Sequence, residues 1–177
     1  MSGGESGAAL ARLNAMTAEA AEAELSQVCG APGWARAVAA ARPFADRESL
    51  VRAGMAAWDA LTPAAWIEGF KAHPRIGEGR RVAGGAASEW SRAEQAGMNA
   101  AGDSTRAELA AAQRAYEGRF GWTYIVCATG CTPGEMLTDC RARLGNEPDD
   151  EIAVAAGEER RIGRLRLERI LAEGGER

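Results

Sequence analysis

Residues 122–128 read WTYIVCA. This run decides the fold class: it is aromatic, β-branched and uncharged, and no other stretch of the 177 residues looks as much like a strand. A strand needs a partner to form a sheet, and no second run pairs with it convincingly. It is therefore expected either as a buried extended segment or as an extension of the helix before it. The chain is expected to be all-α, one compact domain of seven to nine helices.

The flanks of this run are helical. Downstream, Thr132-Pro133-Gly134-Glu135 combines a capping box with proline at the first helical position. The helix it opens carries Met136, Leu137, Cys140 and Leu144 and stops at Gly145. After NEPDD (146–150), a last helix from about Asp149 to Ala172 carries Ile162, Leu165 and Ile170. Upstream, Thr105 and Glu108 read as another capping box, followed by Leu109, Ala112, Tyr116 and Phe120 at helical period. Ser91 to Glu94 opens a helix in the same way. Thr62-Pro63 starts one whose apolar residues are Trp66, Ile67 and Phe70; it ends near Ala72, because His73 precedes a proline. Asp46 caps a helix carrying Leu50, Val51, Met55, Trp58 and Leu61. Pro32 and Trp34 open a short helix that stops before Pro43, and Thr17 caps one through Val28 with Gly30 beyond its end. Residues 1–9 are Gly- and Ser-rich and expected to be loose, which leaves 10–173 as the domain.

Composition narrows the chemistry. The chain is 46% apolar and 26% charged with net charge −4, a globular balance without the basic excess of a nucleic-acid binder. It holds one histidine, His73, and one lysine, Lys71. Any Ser-His-Asp or Cys-His site would have to use the first and any Schiff-base enzyme the second; a zinc site with two histidines is excluded. Cys29, Cys127, Cys131 and Cys140 form no CxxC pair and read as reduced thiols in a cytoplasmic protein. The N-terminal MSGGESGAALARL lacks the basic and apolar regions of a secretory signal, and no run reaches the roughly 20 apolar residues of a membrane span.

Four blocks carry candidate chemistry, each with a plainer reading beside it. KAHPRIGEG (71–79) places His73 at a helix end, where a histidine commonly caps. It also starts the long glycine-containing stretch 73–87, and long loops inside compact domains are often functional. An imidazole's ordinary pKa of about 6.5 suits acid–base work. SRAEQ (91–95) is a capping box first, yet a helix start also offers a carboxylate and free N–H groups to a ligand. FGWTYIVCATG (120–130) is core by composition, but extended backbone beside a ligand can offer its own N–H and C=O groups. RRIGRLRLERI (160–170) is an amphipathic helix with a solvated arginine face; without interleaved aromatics it does not read as a phosphate track.

Together and in order, these blocks resemble one family, 2-oxo-4-hydroxy-4-carboxy-5-ureidoimidazoline (OHCU) decarboxylase. The resemblance runs from LNAMTAEAAEAEL (13–25) and CGAPGWARAVAAARPFAD (29–46) through AHPRIGE (72–78), ASEWSRAEQAGM (87–98) and YEGRFGWTYIVCATG (116–130). It continues to RLGNEPDDE (143–151) and RIGRLRLERI (161–170). It implies an all-helical homodimer, without cofactor or metal, that converts OHCU to (S)-allantoin in urate breakdown, downstream of urate oxidase and hydroxyisourate hydrolase. It places the catalytic pair on His73 and Glu94, His73 as acid–base and Glu94 orienting the substrate. Substrate contacts fall on Pro74, Ser91, Arg92, Ala93 and Gln95 and on the backbone of Ile125, Val126, Cys127, Ala128 and Thr129. An arginine of the final helix falls on Arg166, with Arg164 close enough in sequence to compete. Cys131 stands where the family pattern leads us to expect a basic residue. Competing readings are a non-catalytic helical interaction domain with His73 as a structural cap, a lyase acting on a related ureido acid, and a Cys3His metal protein.

Overall fold

The computed structural model describes residues 3–77 and 102–173, and among them the chain is helical without any strand. The helices are α1 (Gly3–Ala15), α2 (Ala18–Leu25), α3 (Trp34–Ala40), α4 (Arg47–Asp59), α5 (Pro63–Lys71), α6 (Asp103–Phe120), α7 (Pro133–Arg143) and α8 (Pro148–Glu173). Residues 122–128 are a non-helical segment, buried over 122–125 and partly exposed over 126–128, the first of the two alternatives the sequence left open. α1 begins inside the Gly- and Ser-rich stretch. The chain divides into two compact units, residues 1–66 with 160–177 and residues 67–159. Their boundaries fall within α5 and α8, so no linker in the sequence announces them.

In the first unit, the expected caps form. The Thr17 hydroxyl accepts from the N–H of Ala20, and Asp46 and Ser49 cap α4 reciprocally. α2 closes at Ser26 rather than Val28, and Val28 goes fully into the core with Leu25, Val38 and Leu50. Trp34 is buried against α4, its indole N–H donating to the Gly54 carbonyl at 2.9 Å. Glycine at position 54 allows this close packing, because a Cβ there would run into the end of the Leu167 side chain of α8 and displace it. Arg42 donates to the carbonyls of Leu13 (2.8 Å) and Met16 (2.7 Å), which satisfies acceptors at the end of α1.

In the second unit, α6 packs against α7, and both surround the extended segment. Its core holds Phe70, Leu109, Tyr116, Phe120, Trp122, Tyr124, Ile125, Met136 and Cys140. The Thr132–Glu135 capping box forms as expected. The one expected at Thr105 and Glu108 does not: α6 starts three residues earlier, after Gly102, which leaves both residues inside the helix. Glu108 pairs instead with Arg141 of α7 at 2.8 Å. The cysteines are all free thiols, and burial pushes Cys140 up to about 12. Among the described residues, no helix is long and apolar enough to cross a membrane.

Candidate active site

The second unit gathers the candidate chemistry around the end of α5. The Phe70 carbonyl accepts from the His73 N–H at 3.1 Å, which closes the helix. Pro74 then turns the chain away, as the His-Pro step predicts. The imidazole does not cap the helix. It lies only 12% exposed, with Nε2 2.8 Å from Oε2 of Glu159, whose side chain is 1% exposed. Among the described residues neither Glu159 oxygen has a hydrogen-bond partner, so the approach becomes an ion pair when the ring is protonated.

The residues after His73 are tied to α6. The Ile76 N–H donates to Oε1 of Gln113 and the Ile76 carbonyl accepts from Nε2, both at 2.9 Å. This two-bond grip holds the loop as a neighbouring strand would, from a glutamine that is 1% exposed. Arg75 adds a bidentate pair with Glu117, at 2.8 Å and 2.6 Å. Gly77 follows with φ +84°, a left-handed conformation that favours glycine.

The extended segment is anchored on both sides. The Cys127 N–H donates to Oε2 of Glu158 at 2.9 Å. Glu158 and Glu159 are adjacent on α8, so this dipeptide joins the Cys127 backbone to His73. The Ile125 carbonyl accepts from Nη1 of Arg143 at 2.8 Å. Arg143 is buried and also donates to Oε1 of Glu151, from Nε at 2.9 Å and Nη2 at 2.5 Å. Burial opposes its charge, but the Glu151 contacts outweigh it and hold the guanidinium above its ordinary pKa. Tyr116 donates to the same Glu151 carboxylate, and Asn146 to its other oxygen at 2.7 Å. Tyr124 donates to Asp139 at 2.5 Å, and burial first, then this partner, raises its phenol. The segment therefore rests on a fully partnered polar network.

Of the residues singled out in the sequence, this unit brings together His73, Pro74 and Ile125–Thr129. Ile125 is buried, Val126, Cys127 and Ala128 are partly exposed, and Thr129 is exposed. The Cys127 N–H and Ile125 carbonyl are already occupied by protein, whereas Val126 has no backbone partner among the described residues. Cys131 folds back over the segment, its thiol 3.6 Å from the Cys127 carbonyl. Ser91, Arg92, Ala93, Glu94 and Gln95 lie outside the described residues. In the first unit, Arg164 is exposed and pairs with Glu168 at 3.2 Å, while the half-buried Arg166 donates to the Val28 carbonyl at 3.1 Å. Lys71 is a surface residue paired with Glu68.

Sequence reasoning missed Glu158 and Glu159, since GEERR reads as a solvated acidic and basic run. A signal was present. Glu159 falls at the i+4 and i−3 positions of the buried Ala155 and Ile162, inside the apolar stripe of α8. A carboxylate in such a stripe needs a partner.

Residues 14–168 match the family model for OHCU decarboxylase. The chain belongs to the OHCU decarboxylase family. It is 37% identical over 145 residues to the 2-oxo-4-hydroxy-4-carboxy-5-ureidoimidazoline decarboxylase of Amia calva, covering 79% of this chain and 81% of that protein. It is 29% identical over 162 residues to the uric acid degradation bifunctional protein TTL of Arabidopsis thaliana, covering 89% of this chain. This chain spans about half (49%) of that relative's length. The fold matches an OHCU decarboxylase crystallised in the presence of (S)-allantoin, with TM-score 0.71 and 28% identity, over 85% of this chain and 98% of that one. The fold expected from the sequence is thus the fold of the family.

Proposed function

We propose that this chain decarboxylates OHCU to (S)-allantoin, with His73 as the acid–base group. The observation that carries the reading is the sole histidine of an OHCU decarboxylase family chain, nearly buried at the end of α5 beside an ionisable partner. OHCU bears a carboxylate and a hydroxyl on one ring carbon, next to a C=N bond. Breaking the bond to the carboxylate releases CO₂ and sends the electron pair toward the ring nitrogen. The nitrogen and the ureido-bearing carbon each take a proton, and the hydroxyl gives one up to become the ring carbonyl. Net uptake is one proton. The substrate supplies its own electron sink, so the chemistry asks for no pyridoxal or thiamine.

The protein must then orient the scissile bond and deliver the carbon-bound proton to one face. His73 has the right chemistry for that transfer. The ordered backbone of Val126–Thr129 is suited to ring carbonyl and ureido groups. Roles for Pro74 and Ser91 in substrate contact, Glu94 in orientation, Gln95 in amide recognition and Arg166 in holding an anionic group rest on family membership. So do homodimer formation and a cytoplasmic location. Functional coupling to urate oxidase and hydroxyisourate hydrolase is supported by the bifunctional plant relative.

The test generates OHCU from urate with those two enzymes and adds this protein. Faster formation of optically pure (S)-allantoin, followed by circular dichroism, is the expected result. Unaltered decay to racemic product would refute the reading.

A further inference from the structure

The Glu159 carboxylate is the largest unexplained polar feature among the described residues. It is 1% exposed, and both oxygens lack hydrogen-bond partners. Among the described residues its one close polar contact is Nε2 of His73. An ionised carboxylate in an apolar interior costs several kcal/mol unless a cation faces it, and proteins seldom keep such a group without a use. The rest of the unit shows how this chain treats a structural carboxylate: the equally buried Glu151 has Arg143, Tyr116 and Asn146 around it. Among the described residues Glu159 has only the imidazole.

We propose that Glu159 is the positioning residue for His73: it takes the Nε2 side of the ring, favours the imidazolium during proton transfer, and leaves Nδ1 to meet the substrate. This rests on the proposed acid–base role of His73. A carboxylate 2.8 Å from Nε2 favours a proton on that nitrogen by its negative charge, which selects the Nε2–H form of the neutral ring. The same contact favours one orientation of the ring, so the proton would reach the substrate from one direction. That matters for a reaction whose product has one hand. The adjacent Glu158 holds the Cys127 N–H, so one turn of α8 sets both the ring and the backbone segment.

The chain has a single histidine, which gives a direct readout. Protein labelled with ¹⁵N-histidine yields one pair of imidazole nitrogen signals, recorded without substrate. The expected result is a neutral ring protonated at Nε2 in the native protein, and a mixture of both tautomers in Glu159→Gln. In steady-state assays on OHCU made in situ, Glu159→Gln should lose at least about tenfold in kcat, with KM changed less than about threefold. Glu159→Asp should recover part of that loss. An Nδ1–H ring in the native protein overturns the proposal even if the variants fold poorly, and so does a Glu159→Gln enzyme with native kcat. If His73→Asn is fully active, the acid–base reading itself fails. If His73→Asn is dead but Glu159→Gln is native-like, only the role of Glu159 fails.

Discussion

Replacing Arg143 by methionine should destabilise the second unit strongly and loosen the segment 122–128. The guanidinium holds Glu151 through two nitrogens, the Ile125 carbonyl through a third contact, and Asp139 at 3.3 Å. Methionine fills much of the volume but supplies none of these donors. Glu151, which is fully buried, would keep only Tyr116 and Asn146 as neutral donors. Removing one partner of a buried ion pair costs about 3–5 kcal/mol, because the remaining charge is left without compensation. With a urea m-value of about 2 kcal/mol/M, the unfolding midpoint should fall by ~1.5–2.5 M. The assay is urea unfolding followed by far-ultraviolet circular dichroism. The double variant Arg143→Met with Glu151→Leu removes both charges and should lose less than the single variant. A single-variant loss below about 1 kcal/mol, or a double variant less stable than the single, would refute the view that this network holds the segment.

Three further outcomes follow from the same geometry. Gln113→Leu removes both bonds to the Ile76 backbone and should cost about 1–3 kcal/mol in urea unfolding, with a drop in OHCU turnover as the chain after His73 loses its anchor; native turnover would contradict this. Cys140 should resist a thiol reagent at neutral pH until the chain unfolds, since burial holds its thiol up at about 12; rapid labelling in the native state would contradict the packing. The cap carboxylates of Asp46 and Glu135 are held below their ordinary values by backbone N–H donors first, so the stability they add is present above the ordinary carboxylate range and is lost as pH falls through the lowered folded values. Acid unfolding of Asp46→Asn should therefore depend less on pH than that of the native protein in that window, and an unchanged acid profile would remove the cap from the account.

Local chemistry made most helices legible. Thr17, Asp46 and Thr132 each sit where a side-chain acceptor is worth most, and each caps as the sequence implies. The WTYIVCA run lacked a strand partner, and it is buried without one because the side chain of Arg143 and the carboxylate of Glu158 take the place of a neighbouring strand. The pattern at Thr105 and Glu108 misled because a capping box is also an ordinary helical spacing, and Gly102-Asp103 offered an earlier start. His73 stood out as a candidate by scarcity and company, but the carboxylate beside it did not. Glu159 lies 86 residues away and becomes meaningful only when the buried stripe of α8 is traced residue by residue. The division into two units was invisible because it falls inside helices, where no composition shift marks it.

The most direct measurement is the rate and optical purity of allantoin formed from in situ OHCU by the native protein and by His73→Asn, with equal helical circular dichroism as the folding control. The account predicts fast formation of (S)-allantoin by the native chain, and a loss of about 10²–10⁴-fold in turnover for the variant. A His73→Asn protein that still forms (S)-allantoin at the native rate would contradict it.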